Sequence, residues 1–364
     1  MQAVIFKGPL QVALEQRPIP EIVDPTDVIV KVQYTALCGS PFTSSTEVSE
    51  RTKSELHVFR GHQPSGSEFV MGHEFTGEVT AVGCQVRRFR VGDRVVSPFT
   101  ISCGECFYCR QGYSSRCALC LLYGTVALDG AQADYVRVPL ADTTLIAAPA
   151  GVDEKKLVLM ADILPTGFFA AQNAFKDTVT GVAQGSTVLL FGCGPVGICA
   201  LISALEYNPK HLIAIDSVPS RLELARTLGA EPWNFQTDGE SLRKRVMDLT
   251  EGRGADIAIE VVGHSSALRM AFDLLRPWGR ISSVGVHNGE IPWTANEAYN
   301  KNLQIQMGRC PVRSIFEDAL ALLIKKQDAF DFMVTDIRPL SQALQSYDDF
   351  NQTKTQKVIF EGGK

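Results

Sequence analysis

Long hydrophobic runs are absent from this sequence. No uninterrupted apolar stretch approaches the roughly 20 residues that cross a bilayer, and residues 1–8 lack the long apolar core of a secretory signal. Positive charge is not in excess either, because 35 Lys and Arg stand against 40 Asp and Glu, for a net charge of −5. We therefore expect a cytoplasmic protein with neither a membrane nor nucleic acid as partner.

Length and composition indicate an ordinary globular protein of more than one domain. The chain has 364 residues, of which 45% are hydrophobic and 21% charged. That composition supports sizeable cores, and the length exceeds one ordinary domain and suits two. We find no internal repeat and no low-complexity segment.

The centre of the chain carries a glycine-rich turn between two short apolar runs. Residues 188–191 are typical of a strand buried on both faces, and Gly192, Gly194 and Gly197 follow as Gly-x-Gly-x-x-Gly. Such a turn, opening a helix, presents backbone N–H groups to a pyrophosphate. Asp216 ends the second run, where a carboxylate can bind an adenosine ribose and repel a 2′-phosphate. The pattern predicts a dinucleotide site that favours NAD over NADP, whereas a lone glycine turn could belong to another α/β domain.

Cysteine is concentrated in one short segment. Four of the ten cysteines occur within 15 residues, as Cys103, Cys106, Cys109 and Cys117. Without a secretory signal, metal binding is favoured over disulfides. Four thiolates on a tight loop can surround a tetrahedral structural zinc. An iron–sulfur cluster and unrelated thiols are the alternatives, but compact iron–sulfur motifs usually have other spacings.

The local patterns change along the chain. Residues 1–100 are rich in β-branched residues broken by Pro and Gly, which predicts an antiparallel barrel or sandwich. Two predicted helices, 154–161 and 168–175, flank a segment that contains Pro165. Beyond them, strands are predicted at 188–191, 211–216, 255–262 and 280–286, and helices at 198–207, 221–228 and 267–275. This alternation predicts a doubly wound parallel sheet, and we assign the final helix 316–325 and strand 356–360 to the first domain.

Four further residues have side chains suited to a second metal ion. They are Cys38, His73, Glu74 and Asp162. One thiolate, one imidazole and one carboxylate could hold zinc and leave a fourth position for a substrate oxygen. Each also has an ordinary interpretation: Cys38 as a small buried residue, His73 as a core histidine and Asp162 as a helix cap.

Taken together, these motifs resemble the zinc-containing medium-chain alcohol dehydrogenase family, nearly end to end. The resemblance is carried by Gly72-His73-Glu74, Gly92-Asp93-Arg94-Val95-Val96, the cysteine segment 103–117, and the glycine turn with Asp216. It implies an α/β protein with a GroES-like β-barrel catalytic domain, residues 1–160, and a Rossmann NAD-binding domain, residues 161–305. Residues 306–364 would return to the catalytic domain, and the substrate would bind between the two domains.

The resemblance also implies roles for single residues. Cys38, His73 and Asp162 would hold a catalytic zinc, with Glu74 as an outer or alternative ligand, and Asp162 is similar to the formaldehyde dehydrogenase-like branch. Thr166 would contact the nicotinamide and Phe99 would line the substrate pocket. The implied cofactor contacts are Gly192, Gly194, Pro195, Val196, Gly197, Asp216, Arg221, Val262, Val284 and Val286.

One segment departs from the family pattern. The family's Cys-Gly-Ser-(Asp/Glu)-Leu-His is split here after Ser40 and resumes at Ser54 and His57, with about 14 polar residues inserted. Without them the Cys38-to-His73 separation falls from 35 to 21, the spacing we expect for the family. The insert is predicted to be a surface loop. Either serine, together with His57, could form the proton relay.

The resemblance implies hydride transfer between an alcohol, or an aldehyde or ketone, and NAD(H), with zinc polarising the substrate oxygen. We expect one catalytic and one structural zinc, a small-molecule alcohol or carbonyl substrate of apolar character, and a homodimer or homotetramer. Two alternatives remain. One is a formaldehyde dehydrogenase or dismutase-like enzyme with tightly bound NAD, and the other is a catalytically silent zinc- and NAD-binding protein.

Overall fold

The computed structural model describes residues 1–39, 55–61, 65–176, 185–287 and 289–362, without the side chains of His57 and Glu240. The predicted relay residues Ser40 and Ser54, and the inserted residues between them, lie outside the described part of the chain. The chain forms two compact units, residues 1–165 with 311–364 and residues 166–310.

The first unit contains mainly short strands. Before residue 165 its strands are β1 Gln2–Gly8, β2 Gln11–Gln16, β3 Val28–Ala36, β4 Glu74–Val82, β5 Arg94–Ser97, β6 Tyr135–Val138 and β7 Ile146–Ala147. Its helices there are α1 Glu55–Phe59, α2 Phe107–Arg110, α3 Ala141–Thr144 and α4 Glu154–Leu157, with 3-10 turns at Ser114–Arg116 and Val158–Ala161.

The second unit alternates helices and strands. Its elements are α5 Ile163–Phe175 (which begins three residues earlier, in the first unit), β8 Thr187–Phe191, α6 Pro195–Leu205, β9 His211–Asp216, α7 Pro219–Thr227, β10 Glu231–Asn234, α8 Gly239–Leu249, β11 Ala255–Glu260, α9 Ser265–Leu274, β12 Leu275–Ser283, α10 Ala295–Lys301 and β13 Gln304–Met307. The chain then returns to the first unit with α11 Val312–Lys325, a 3-10 helix Gln327–Val334, β14 Ile337–Pro339, a 3-10 turn Leu340–Gln342, α12 Ala343–Asn351 and β15 Ile359–Glu361.

The strands of the first unit form two sheets. β1 and β2 are an antiparallel pair, and seven other strands form a sheet of order β14-β15-β3-β4-β5-β7, with β6 also paired to β3. The strands alternate inward apolar residues with more exposed ones, so β3 and β4 contribute Val28, Val30, Val32, Phe75 and Val79 to one core. The returning tail completes the sheet, because β15 pairs with β3.

The second unit is a parallel sheet of six strands in the order β10-β9-β8-β11-β12-β13. The central strand β8 is buried along its whole length, as its unbroken apolar sequence predicts. The strand order reverses between β8 and β11, and this reversal opens a crevice at the carboxyl ends of the strands. The predicted doubly wound sheet is confirmed.

No single helix in the described part of the chain is long and apolar enough to cross a membrane. One bent pair, Glu154–Ala161 with Ile163–Phe175 at 55°, has the length and composition of a span when the two helices are taken together.

Candidate metal centres and cofactor site

Strand pairing brings the first group of predicted metal ligands together. β3 and β4 are antiparallel, with Ala36 opposite Glu74, so Cys38, two residues after Ala36, comes close to His73. Asp162 joins them from the bend between the 3-10 turn Val158–Ala161 and α5. One ligand atom from each of Cys38, His73, Glu74 and Asp162 lies within 4.8 Å of the others. We call this group the four-donor cluster.

Within the four-donor cluster the histidine ring points one nitrogen at the other donors. Its Nε2 lies 3.3 Å from Oδ2 of Asp162, and the Cys38 Sγ lies 3.6 Å from the same oxygen. Nδ1 lies 3.0 Å from Oε1 of Glu55. If Nδ1 donates to this carboxylate, Nε2 presents its lone pair to the cluster, which is the orientation that metal-bound histidines adopt.

Glu55 is a site residue that the sequence reading missed. Its Oε1 also accepts a hydrogen bond of 2.9 Å from the backbone N–H of His73, and its Oε2 accepts one of 2.5 Å from the backbone N–H of Cys38. One buried carboxylate therefore orients two predicted ligands. A signal was available, because Glu55 occupies the acidic position of the split family motif, directly before Leu56 and His57.

The electrostatics of the four-donor cluster favour a cation. Burial raises the pKa of the Cys38 thiol, and the neighbouring carboxylates add to this. Burial alone would lower the pKa of His73, but Glu55, Cys38 and Asp162 raise it well above its ordinary value. Burial also raises the pKa of Glu74, although the neighbouring Lys357 ammonium acts in the opposite direction and lowers it. A divalent cation would stabilise the ionised donors, so a sulfur, nitrogen and oxygen set of this kind fits zinc.

Lys357 is a second missed residue, and it lies behind the cluster. It forms a buried ion pair with Oε2 of Glu74, and both side chains are almost completely excluded from solvent. Oε1 of Glu74 is buried without a hydrogen-bond partner among the described residues. The lysine thus binds one oxygen of Glu74 and leaves the other available to the cluster. No local sequence signal marks it, because Lys357 lies 283 residues from Glu74.

The four cysteines of segment 103–117 form the second donor group. The ligand sulfurs of Cys103, Cys106, Cys109 and Cys117 lie within 4.8 Å of one another, and none of the ten cysteines forms a disulfide. Backbone N–H groups point at these sulfurs: Cys103 N lies 3.2 Å and Leu119 N 3.3 Å from the Cys117 Sγ. This group fits a closed, tetrahedral structural zinc.

Thiol pKa values in this segment differ according to their surroundings. Hydrogen bonds from backbone N–H groups, that of Ala118 first, lower the pKa of Cys106 to about 6. Burial raises the pKa of Cys109 to about 12. Four crowded thiols cannot all ionise unless a cation stabilises them, so a metal ion bound here would hold the four sulfurs as thiolates.

The predicted dinucleotide turn connects β8 to α6. Gly192 has φ +95°, and a Cβ on Gly197 would lie 2.0 Å from the carbonyl oxygen of Gly192, so only glycine allows this close packing. Gly194 is the residue before the helix, and Pro195 opens it, where its missing N–H costs nothing. The N-terminus of α6, with Val196 in its first turn, therefore faces the crevice with unpaired N–H groups.

Asp216 ends β9 beside this turn. Its Oδ2 accepts a hydrogen bond of 2.7 Å from the N–H of Cys193, and its Oδ1 accepts bonds from the N–H groups of Ser217 and Val218. Nη1 of Arg221 lies 3.9 Å from Oδ2. The carboxylate is held at the carboxyl edge of the sheet, where it retains lone pairs for a ribose.

The remaining predicted residues fall into both units. Val262 follows β11, and Val284 and Val286 follow β12, all at the carboxyl edge of the parallel sheet. Thr166 lies half-buried in α5. Phe99 is in the first unit, where its ring centroid lies 6.1 Å from that of His73, edge to face.

Family models match two segments: the alcohol dehydrogenase GroES-like domain over residues 24–149 and the zinc-binding dehydrogenase domain over residues 195–325. The chain belongs to the zinc-containing medium-chain alcohol dehydrogenase family, as its sequence motifs predicted.

Individual relatives agree with this assignment. The chain is 62% identical to the zinc-type alcohol dehydrogenase B of Aspergillus flavus over 364 residues, which cover 100% of this chain and 82% of that protein. It is 50% identical to the medium chain reductase/dehydrogenase ucsI of an Acremonium species over 300 residues, 82% of this chain and 98% of that protein. The solved structure of the alcohol dehydrogenase TADH from Thermus sp. ATN1 matches with a TM-score of 0.87 at 32% identity, covering 100% of both chains. The protein is a zinc-dependent alcohol oxidoreductase, and NAD is the cofactor typical of its family.

Proposed function

We propose that the four-donor cluster is the catalytic zinc site of an NAD-dependent enzyme that interconverts an alcohol and a carbonyl compound. The observation that carries the proposal is the convergence of Cys38, His73 and Asp162 on one buried point, with Glu74 beside them and one of its oxygens paired with Lys357. The cysteine group of segment 103–117 would hold the structural zinc.

Each protein group has a distinct task in this proposal. Zinc, when bound, supplies Lewis-acid chemistry that lowers the pKa of an alcohol. Glu55 fixes the His73 ring and the Cys38 backbone, so the donors keep their geometry through turnover. Phe99 covers the imidazole edge with apolar surface, which supports an apolar alcohol as substrate. Ser40 or Ser54, with His57, remains our proposal for the proton relay, and Thr166, Val262, Val284 and Val286 for the nicotinamide contacts.

A substrate panel tests the activity. Purified, zinc-loaded enzyme with NAD and a series of apolar, aromatic and polyhydric alcohols, and formaldehyde, would be followed at the NADH absorbance band. We expect the highest kcat/KM with an apolar or aromatic alcohol. Formaldehyde as the best substrate would instead favour the formaldehyde dehydrogenase-like branch, to which Asp162 is similar. Absence of turnover with every compound, at full zinc loading, would favour the catalytically silent binder.

Asp216→Ala tests the proposed cofactor choice. Removing the carboxylate deletes charge-assisted hydrogen bonds to the adenosine ribose, each contributing about 1.5–3 kcal/mol, so we expect kcat/KM for NAD to fall at least tenfold. The kcat/KM for NADP should rise, because the carboxylate that repels a 2′-phosphate is gone and Arg221 no longer has Asp216 as its ion-pair partner. Glu223→Ala, which removes an exposed carboxylate on the neighbouring helix α7, is the matched control. A wild-type enzyme that prefers NADP would contradict the proposal.

We also propose a homodimer in which β13 of one copy meets β13 of another. This strand is the edge of the parallel sheet, and its four residues are exposed, including Ile305 and Met307 on one face. An unprotected edge without Lys or Pro invites strand pairing, and two copies can pair symmetrically. A homotetramer would need a second contact surface in addition to β13.

The dimer proposal is tested by Ile305→Lys combined with Met307→Lys, which places like charges on both partners. We expect this variant to elute as a monomer in light-scattering chromatography, at a concentration where the wild type is at least dimeric. Ile324→Lys, on the exposed face of α11 in the first unit, should leave the mass unchanged. A monomeric wild type, or a double variant that remains dimeric, would contradict the proposal.

We further propose that the enzyme works in the cytoplasm. None of its ten cysteines forms a disulfide, which is consistent with a reducing compartment. Localisation of the tagged protein to a secretory compartment would contradict this.

A further inference from the structure

A buried carboxylate connects two loops at the carboxyl edge of the second unit's sheet. Glu260 is the last residue of β11 and is fully buried. Its Oε1 accepts hydrogen bonds of 2.7 Å from the N–H of Val262 and 2.6 Å from the N–H of Gly263. Its Oε2 accepts one of 2.7 Å from the hydroxyl of Ser283, and Nε2 of His287 lies 2.8 Å from the same oxygen. The loops after β11 and β12 are therefore joined through one side chain.

The contact with Glu260 determines which nitrogen of His287 carries the proton. An ionised carboxylate can only accept hydrogen bonds, so Nε2 must be the donor. In the neutral ring, Nδ1 is then an acceptor. The side chain of His287 is only 10% exposed, and Nδ1 has no hydrogen-bond partner within the part of the chain that the structure describes. Nδ1 is therefore an acceptor that is open to a donor from outside the protein.

The position of His287 in the sheet indicates which donor. β9, which ends at Asp216, lies on one side of β8, whereas β11 and β12 lie on the other. With the adenosine at Asp216 and the pyrophosphate at the glycine turn, the nicotinamide half of the cofactor extends over the ends of β11 and β12. The two loops there are in direct contact, because a Cβ on Gly285 would lie 2.2 Å from the backbone nitrogen of Gly263.

We propose that Nδ1 of His287 accepts a hydrogen bond from the carboxamide NH2 of the nicotinamide, with Glu260 as the residue that positions the ring. The inference rests on the proposed NAD site and adds a specificity-determining contact to it. The phosphates of NAD have no proton to give at neutral pH, so they do not satisfy Nδ1. The carboxamide does, and holding it fixes which face of the nicotinamide ring is presented for hydride transfer.

Binding measurements on the full-length, zinc-loaded enzyme test this contact without relying on turnover. The probes are NAD, ADP-ribose, which lacks the nicotinamide, and 3-acetylpyridine adenine dinucleotide, in which a methyl group replaces the NH2. The variant is His287→Gln, whose amide NH2 can still donate to Glu260 but which has no acceptor at the position of Nδ1. His211→Gln is the matched control, since His211 begins β9 at the opposite, amino edge of the same sheet.

One lost neutral hydrogen bond should weaken NAD binding by His287→Gln about 3- to 10-fold. ADP-ribose should bind as to wild type, and the preference of the wild type for NAD over the acetylpyridine analogue should shrink by the same factor. The His211→Gln protein should match the wild type with all three probes. His287→Ala serves as a second variant should His287→Gln fail to fold.

Two results would overturn the inference while leaving the proposed function intact. The first is unchanged NAD affinity in a folded His287 variant. The second is an equal loss for NAD and ADP-ribose, which would put the contact on the ribose or show general damage to the site. A wild-type enzyme that binds neither NAD nor ADP-ribose would overturn the proposed function as well.

Discussion

Replacing Glu55 by Ala is expected to reduce zinc affinity or alcohol oxidation by about 10- to 100-fold, the usual effect of losing an outer partner of a metal ligand. Glu55 accepts hydrogen bonds from the backbones of Cys38 and His73 and contacts Nδ1 of the His73 ring. Its loss releases the ring and leaves buried N–H groups unpaired, each at a cost of about 1–3 kcal/mol. The variant should therefore lose both site geometry and stability.

The measurement is zinc retained after dialysis against a chelator, together with kcat/KM for the best alcohol. Glu55→Gln should be milder, because its amide oxygen can still accept one of these bonds. Glu317→Ala removes an exposed carboxylate from α11 of the same unit and should change neither quantity. If Glu55→Ala retains all of its zinc with unchanged kcat/KM, Glu55 does not position the site.

Cys106→Ser is expected to remove one zinc ion per chain and to lower the melting temperature while leaving the catalytic site chemically intact. Zinc bound by four thiolates contributes directly to folding, with apparent binding free energies of about 10–16 kcal/mol in zinc-finger peptides. Only part of this would be lost here, because the surrounding β unit has its own core. Each 1 kcal/mol lost should lower the melting temperature by about 2–4 °C in a unit of roughly 200 residues.

Zinc content and thermal unfolding measured on the same preparations test this. Cys84→Ser changes an exposed free cysteine outside both donor groups and should leave zinc and melting temperature as in wild type. Full zinc content and an unchanged melting temperature in Cys106→Ser would show that segment 103–117 is not a metal site.

Much of the fold could be predicted because it depends on local pattern. The strands β8 and β9 can be recognised in the sequence, since burial on both faces requires an unbroken apolar run. The glycine turn between β8 and α6 is recognisable from its spacing. The helix predicted at 168–175 begins earlier than expected, because α5 starts at Ile163 and includes Pro165. A proline in the first helical turn removes an N–H that has no intrahelical partner there, so the helix tolerates it.

The less apolar elements were harder to predict. The edge strands β10 and β13 are short and lack a strong apolar pattern, and the sequence analysis gives no boundaries for them or for the amphipathic helix α8. β12 ends at Ser283, three residues before the predicted end at 286, because the backbone bends at Gly285.

The predicted metal ligands came from residue type and family spacing, whereas the residues that support them depend on tertiary contacts. Lys357 meets Glu74 only because β15 returns to pair with β3. Glu260 meets His287 across two adjacent parallel strands, 27 residues apart in sequence. Ion pairs and hydrogen bonds between residues so distant in sequence produce no periodic pattern. Sequence alone therefore identifies the metal ligands but not the residues that orient them.

Zinc content per chain tests the account most directly. It would be measured by elemental analysis on wild-type protein purified without chelator and on Cys38→Ser, which removes one proposed ligand of the catalytic site. We predict two zinc ions per wild-type chain, and one in the folded Cys38→Ser protein, which should no longer oxidise alcohols. A wild-type protein with a single zinc, retained in Cys38→Ser, would show that the four-donor cluster holds no catalytic metal and would contradict the account.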